Sequence, residues 1–207
     1  MARDGILWVL VPLVAGAAAA AYGLWLVAVP LFLLAAFMAY FFRDPHRVSP
    51  DDPAVVVSPA DGRVTRVEKV SPADDHSPTL VSIFLSPFDV HINRSPIAGE
   101  VTDVVYTKGR FRMATREDAS IVNEQNALTI RGERVTVVCK QIAGILARRI
   151  VCWKHPGQHV ALGERIGLIK FSSRTDLLLP PEIEVRVKAG ERVRGGVTVV
   201  GRVSDGR

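Results

Sequence analysis

The feature that most restricts the fold of this chain is an uncharged stretch from Gly5 to Phe42, which is rich in leucine, alanine, valine and aromatic residues. One helical crossing of a bilayer takes about 20 residues, so this stretch is long enough for two crossings of roughly 17–19 residues each. A reversal near Tyr22-Gly23 would join them. Because the run is far longer than the apolar region of an ordinary signal peptide, we predict a membrane-anchoring helical hairpin over residues 1–42.

Basic residues on both flanks of this stretch predict its orientation. Arg3 precedes it, and Arg43 and Arg47 follow it. In a hairpin both flanks face the same side of the membrane, and the positive-inside rule makes that side cytoplasmic. We therefore expect a protein of the cell membrane with its main domain on the cytoplasmic side. A single long tilted helix, or a re-entrant pair kinked at Pro12 and Pro30, fits the same pattern.

The remainder of the chain is basic. The formal net charge is +5, and because the two charges before the apolar stretch cancel, all of it belongs to residues 43–207. A basic domain beside a bilayer is attracted to anionic headgroups, although a solvated basic surface explains the same composition. The lysines and arginines are scattered, without a recognition-helix or stacking-aromatic pattern, so we expect no nucleic-acid partner.

Short apolar segments broken by glycine and proline follow a proline-rich linker at residues 43–53. Their regular spacing predicts a mainly β, compact barrel-sandwich-like catalytic domain over residues 54–207, preceded by the hydrophobic membrane helices. Gly-Glu pairs at 99–100, 163–164 and 190–191 each precede a strand and favour the same architecture. The predicted strands are 54–57, 62–67, 79–84, 99–106, 127–130, 135–141, 148–153, 164–171, 183–187 and 196–203.

Two adjacent serines, Ser172 and Ser173, come at the end of the predicted strand 164–171. A hydroxyl placed there can attack the carbonyl just before it, giving an ester that eliminates to leave a pyruvoyl group on the downstream fragment. In this way a chain without another evident electrophile could build its own carbonyl cofactor. An ordinary polar turn at a strand end explains the same residues.

Other polar groups interrupt the strand pattern. Asp61 lies in an Asp-Gly turn directly before a strand. His91 lies with Arg94 in a polar loop, where a side chain that titrates near neutral pH is suited to act as a general base. Asn123 and Glu124 precede another strand. Taken singly, each of these groups is equally explained by a turn or by a hydrogen-bonded loop.

The sequence predicts no metal site. Cys139 and Cys152 lack the spacing of metal ligands, and a cytoplasmic domain would keep both thiols reduced, so we expect ordinary buried cysteines. The remaining histidines show no partner spacing either. The Walker loop and the Gly-x-Gly-x-x-Gly, HExxH and CxxC motifs do not occur in the chain.

Taken together, these motifs resemble the phosphatidylserine decarboxylase proenzymes of the short bacterial and archaeal type. The similarity is collinear and covers nearly the whole chain, so it is far more specific than any one motif. The matching segments are Phe41–Pro45, Ser58–Gly62, Phe84–Pro96, Asn123–Glu124, Gln141–Cys152 and Gly163–Pro180.

The resemblance implies a self-processing enzyme. Ser173 would attack the carbonyl carbon of Ser172, dividing the chain into a β chain of residues 1–172 and an α chain of residues 173–207. Ser173 would become a covalent pyruvoyl group, whose carbonyl accepts the amine of phosphatidylserine in an anionic membrane. Loss of CO2 would then yield phosphatidylethanolamine.

The resemblance also assigns supporting roles. It implies that His91 transfers protons in cleavage, in decarboxylation or in both, and that Asp61 orients it. The second histidine of long-type members, three residues after the first, is Arg94 here. The residues predicted to bind substrate are Arg94, Asn123, Glu124 and Arg174.

Ser172 departs from the family pattern, which almost always has glycine before the reactive serine. Glycine tolerates the strained backbone that an acyl shift demands and leaves the carbonyl open to attack. We therefore predict that cleavage at 172–173 is slowed or abolished. Two alternatives remain: an uncleaved, non-catalytic homologue that binds anionic lipid, and a membrane-tethered barrel-sandwich carrier or adaptor. The sequence leaves the oligomeric state open, a homo-oligomer included.

Overall fold

The computed structural model describes residues 1–74, 76–113, 119–145, 149–171 and 173–204. The chain divides into two units, which are residues 1–46 and residues 47–207. The first unit is helical and the second is built from strands, in keeping with the change of sequence pattern near residue 43.

The first unit contains two apolar helices, α1 (Ile6–Ala21) and α2 (Trp25–Phe41), which pack against each other. Gly23 turns the chain between them with a φ of 72°, a left-handed conformation that glycine adopts without the steric cost of a Cβ atom. The backbone N–H of Ala2 donates to the carbonyl of Phe42 (2.9 Å) and so ties the two ends of the unit together. By length and composition, α1 with the turn before it is apolar enough to cross a membrane, and α2 is shorter.

The second unit is mainly β, as predicted. It also contains one helical turn, α3 (Ala119–Val122). The strands are β1 (Val55–Val57), β2 (Gly62–Lys69), β3 (Thr79–Leu85), β4 (Ile92–Arg94), β5 (Gly99–Thr107), β6 (Gln125–Arg131), β7 (Thr136–Ala143), β8 (Ile150–Cys152), β9 (His159–Val160), β10 (Arg165–Ile169), β11 (Ser173–Leu179), β12 (Ile183–Val185), β13 (Arg192–Val193) and β14 (Val199–Val203).

Eight of these strands form one antiparallel sheet in the order β13-β2-β3-β11-β7-β6-β5-β9, which curls into a half-barrel. Two three-stranded sheets, β1-β14-β12 and β4-β10-β8, accompany it. Alternate residues of the strands point into one apolar core, where Ile83, Leu128 and Leu177 are fully buried. Burial of such side chains is the main force that holds the sheets together.

One strand prediction was wrong at the most informative place in the sequence. The predicted strand 164–171 ends early, at Ile169, and Ser173 begins a new strand, β11, instead of closing the previous one. The sequence concealed β11 because Arg174 and Asp176 resemble a polar turn. In the structure these two side chains pair with each other inside the sheet, so neither charge is left buried alone.

Because the strands of the large sheet are antiparallel, one edge of it collects the end of β3, the start of β11, the end of β7 and the start of β6. Ser173 pairs with Leu85 on one side and with Ala143 on the other. The next strand pair places Ile142 opposite Gln125. We call this the Ser173 edge.

Candidate active site

Ser173 is the first residue of β11, and its side chain is fully buried. Its hydroxyl oxygen has no hydrogen-bond partner among the residues that the structure describes. Leaving a buried polar group unsatisfied costs about 1–3 kcal/mol, so such groups are rare and call for a functional explanation. This serine is therefore not committed to a structural hydrogen bond.

The backbone just before Ser173 is strained. Phe171 has a φ of 60°, and it is the only non-glycine residue with a positive φ in the described part of the chain. A bulky side chain in this left-handed region costs on the order of 1–3 kcal/mol and persists only where the surroundings enforce it. Ser172, the predicted partner of Ser173 at the cleavage site, lies outside the described residues.

His91 is buried at the end of the loop that joins β3 to β4. Its Nδ1 lies 2.9 Å from the carbonyl oxygen of Asp89. Because a carbonyl only accepts hydrogen bonds, Nδ1 carries the proton in the neutral ring and Nε2 is the basic nitrogen. The backbone N–H of Ile169 donates to the carbonyl of His91 (3.2 Å), which ties this loop to β10, the strand that leads toward Ser173.

Asp61 lies directly before β2, on the same side of the sheet as the Ser173 edge. Its Oδ2 accepts a hydrogen bond from Arg47 and its Oδ1 accepts one from the backbone N–H of Gly195, both at 2.8 Å. Only glycine fits at the next position, because a Cβ atom on Gly62 would lie 2.1 Å from the carbonyl oxygen of Phe84. The carboxylate is therefore held in one position from both of its oxygens.

The two arginines predicted to bind substrate are both buried. Arg94 donates from Nη1 to the carbonyl of Gly163 (3.1 Å). Arg174 makes a two-point ion pair with Asp176, through Nε (2.6 Å) and Nη2 (2.9 Å), and Nη2 also donates to the hydroxyl of Ser82 (2.9 Å). The charge of Arg174 is thus matched by a carboxylate of its own strand.

Asn123 and Glu124 lie at the start of β6, near the Ser173 edge. The Asn123 side chain accepts from the backbone N–H of Arg112 (3.0 Å) and donates to the carbonyls of Arg112 and Ala143 (both 2.8 Å). It therefore fixes the segment around Arg112 to the residue that pairs with Ser173. A hydrogen bond to the Glu124 carboxylate raises the pKa of Tyr106, with a smaller contribution from burial.

Sequence reasoning missed a chain of buried amides behind Ser173. Asn93 donates to the hydroxyl of Thr175 (2.9 Å), Gln141 donates to Asn93 (2.9 Å), and Asn126 donates to Gln141 (3.1 Å). All four side chains are buried, and they join β4, β11, β7 and β6. The available signal was the presence of polar amides inside otherwise apolar strands, which fold there only when they satisfy one another.

The cysteines behave partly as expected. Both are free, Cys139 is buried, and Cys152 is half-buried. Burial raises the pKa of Cys139 to about 12, with a smaller contribution from the negative charge of Asp176. In the described part of the chain no group of three or more histidine, cysteine or acidic side chains is arranged to hold a metal ion.

Comparison with known proteins identifies the family. Residues 34–201 match the family described as phosphatidylserine decarboxylase. The phosphatidylserine decarboxylase proenzyme of Solibacter usitatus is 52% identical over 192 residues, which cover 91% of each chain. That of Nitrosomonas eutropha is 44% identical over 207 residues, which cover 97% of this chain and 94% of the relative. The putative archaetidylserine decarboxylase proenzyme of Methanothermobacter thermautotrophicus is 40% identical over 200 residues, or 90% of this chain and 89% of the relative. The chain therefore belongs to the phosphatidylserine decarboxylase family of enzymes, as its motifs predicted.

Proposed function

We propose that this protein decarboxylates phosphatidylserine to phosphatidylethanolamine and CO2 after it cuts its own chain between Ser172 and Ser173. The observation that carries the proposal is the buried hydroxyl of Ser173, which has no partner among the described residues and lies two positions after the strained Phe171. The names of the relatives support the substrate.

Cleavage is an acyl shift followed by an elimination. The Ser173 oxygen attacks the carbonyl carbon of Ser172, and the peptide C–N bond breaks as an ester forms. Loss of the Cα proton of Ser173 then expels the carboxylate of Ser172. Hydrolysis of the resulting dehydroalanine releases ammonia and leaves a pyruvoyl group at the start of the α chain, residues 173–207, which stays associated with the β chain, residues 1–172.

The residues present fit this group. The Ser173 oxygen is buried away from water without a structural role, and the carbonyl made from this residue inherits that protected position. A pyruvoyl carbonyl supplies an electrophile for the substrate amine and a sink for the electrons released with CO2.

We assign proton transfer to Nε2 of His91. The Asp89 carbonyl fixes the ring tautomer that makes Nε2 the base, which could take a proton during cleavage and return one during decarboxylation. Asp61 is proposed to act on His91 as a fixed negative charge. Its bonds to Arg47 and Gly195 keep that carboxylate from turning away.

The substrate anion is assigned to Arg94. Of the two predicted arginines, Arg174 already faces the carboxylate of Asp176, so its role is to hold β11 in place. Asn123 positions the chain near Ser173 through backbone carbonyls, and Glu124 remains as an acceptor for the substrate amine.

We also propose that the N-terminal helices anchor the protein in the cell membrane, with residues 47–207 on the cytoplasmic side. The length and composition of α1 support a crossing. The basic flanks of the apolar stretch, Arg3 and Arg43, support the orientation.

The decisive experiment combines intact-mass measurement with an assay of CO2 release from vesicles that contain phosphatidylserine. Ser173→Ala should yield one uncut chain and reduce CO2 release below detection, because both the nucleophile and the source of the carbonyl are lost. A Ser173→Ala protein that still releases CO2 would overturn the proposal.

Ser172→Gly tests whether the serine slows cleavage. Glycine removes a Cβ atom and a competing hydroxyl beside the attacked carbonyl, so we expect self-cleavage to become at least tenfold faster. The yield of the α chain is measured over time by mass spectrometry. If the unsubstituted protein is already completely cut when it is isolated and glycine changes nothing, the inhibitory role of Ser172 is wrong.

A further inference from the structure

Exposed apolar side chains in the second unit are concentrated at one place. In the described part of residues 47–207, eight large hydrophobic side chains are exposed. Two of them, Val48 and Val70, lie before β1 and just after β2. The other six lie at or beyond strand ends that belong to the Ser173 edge, and these are Phe88, Val105, Tyr106, Met113, Ile121 and Ile145.

Strand register brings two of these six together. Phe88 lies three residues beyond Leu85, the last residue of β3, and Ile145 lies two residues beyond Ala143, the last residue of β7. Leu85 and Ala143 are the two residues that pair with Ser173. The two exposed side chains therefore flank the start of β11.

The Asn123 side chain holds the next two against the same edge. It bonds the backbone of Arg112 on one side and the carbonyl of Ala143 on the other, so Met113 follows a segment that is fixed beside β7. Ile121 lies on α3, two residues before Asn123, and is 79% exposed. We call Phe88, Met113, Ile121 and Ile145 the apolar rim.

Positive charge surrounds the apolar rim. Lys108, Arg110 and Arg149 are exposed in the same connections. The acidic groups that lie closest along the chain are engaged, because Asp89 pairs with Arg192 and Glu124 accepts a hydrogen bond associated with Tyr106. Apolar side chains bordered by lysine and arginine are typical of surfaces that enter the interface of an anionic bilayer.

We infer that the apolar rim is a second membrane-contacting surface, by which the catalytic unit settles onto an anionic bilayer independently of the N-terminal helices. A phospholipid could then reach Ser173 without its acyl chains leaving the lipid phase. The substrate side of this inference rests on the proposed function. The docking itself is measurable without any turnover.

Docking is tested on the full-length protein with a reporter placed at either of two positions. In a Cys152→Ser background, a single cysteine is introduced by Ile121→Cys or by Val70→Cys and labelled with an environment-sensitive fluorophore. Cys139 is buried and its raised pKa keeps it unreactive at neutral pH. The protein is reconstituted in vesicles of phosphatidylcholine and phosphatidylglycerol that carry a lipid-attached quencher.

We expect the label at position 121 to shift to shorter wavelength and to lose at least half of its intensity to the quencher. The label at position 70, which also replaces an exposed β-branched residue, should remain in water. Equal quenching of the two labels, or water exposure of both, would contradict the inference. So would a label at position 121 that is equally shielded in lipid-free detergent, because the rim would then be covered by protein.

Kinetics separate this inference from the proposed function. Ile121→Ser should raise the apparent KM for phosphatidylserine in vesicles about fivefold, and leave turnover of a short-chain, water-soluble phosphatidylserine unchanged. Val70→Ser should change neither. If no variant releases CO2 and the label at position 121 still enters the bilayer, the proposed function has failed and the docking rim stands; a KM for vesicles that is unaffected by Ile121→Ser overturns the rim.

Discussion

The two edges of the large sheet are built differently. At the edge opposite Ser173, β6 and β7 are joined by a tight turn, in which the N–H of Gly132 donates to the carbonyl of Val135 (2.9 Å). An exposed ion pair, Arg131 with Glu100, lies beside it. The Ser173 edge carries long connections instead, together with the strained Phe171 and a buried hydroxyl without a described partner.

The difference shows how the fold separates stability from chemistry. Short turns at one edge set the register of the strands, since the pairing of an antiparallel hairpin is fixed by its turn. With the register fixed there, the other edge can carry strain and polar groups that would not be stable by themselves. Function is located in the long connections, which a rigid sheet positions.

The largest expected effect comes from a histidine at each edge. His91→Gln should slow both self-cleavage and decarboxylation by about 10²–10⁴-fold, the usual contribution of a general acid or base. His159 pairs with Glu100 at the opposite edge and is exposed, so His159→Gln should be silent. Both are compared in a Ser172→Gly background, by rates of α-chain formation and CO2 release. Rates for His91→Gln within twofold of the background would remove His91 from the mechanism.

Two ion pairs give the next comparison. Asp176→Asn leaves the charge of Arg174 buried beside a neutral amide, which should lower the free energy of unfolding by about 3–5 kcal/mol. Glu100→Gln breaks the exposed pair with Arg131 and should cost less than about 1 kcal/mol.

Denaturant unfolding of the two proteins in the same detergent, followed by circular dichroism, measures both ion pairs. Equal losses at the two sites would show that burial does not distinguish these pairs. The difference between the edges would then concern chemistry alone.

The sequence predicts the second unit well where strands alternate or are continuously apolar, as in β3 and β7. It does not predict β11, because Arg174 and Asp176 neutralise each other only when the chain is folded. The strain at Phe171 leaves no local signal, since nothing in its side chain favours a positive φ.

Motif resemblance identified the candidate site residues, but their partners are non-local. Arg47 reaches Asp61 from the segment predicted as a linker, and Gly195 reaches it from far along the chain. Asn93 and Thr175 meet across 82 positions. Spacing along a sequence carries no information about such pairs, because they depend on which strands become neighbours.

The smallest expected effect separates positioning from stability within the buried amide chain. Asn93→Leu removes the link between Gln141 and Thr175, and Asn126→Leu removes only the outer bond to Gln141. Each leaves buried polar groups unsatisfied, so each should cost about 1–3 kcal/mol of unfolding free energy.

Only Asn93 bonds to β11, two residues from Ser173, so only Asn93→Leu should slow self-cleavage, by about tenfold, the factor that corresponds to about 1.4 kcal/mol. Cleavage rates in the Ser172→Gly background are measured well below the unfolding temperature of either variant. If both variants slow cleavage equally, the amide chain supports the fold as a whole. A selective loss in Asn93→Leu means that it aligns the strand on which Ser173 reacts.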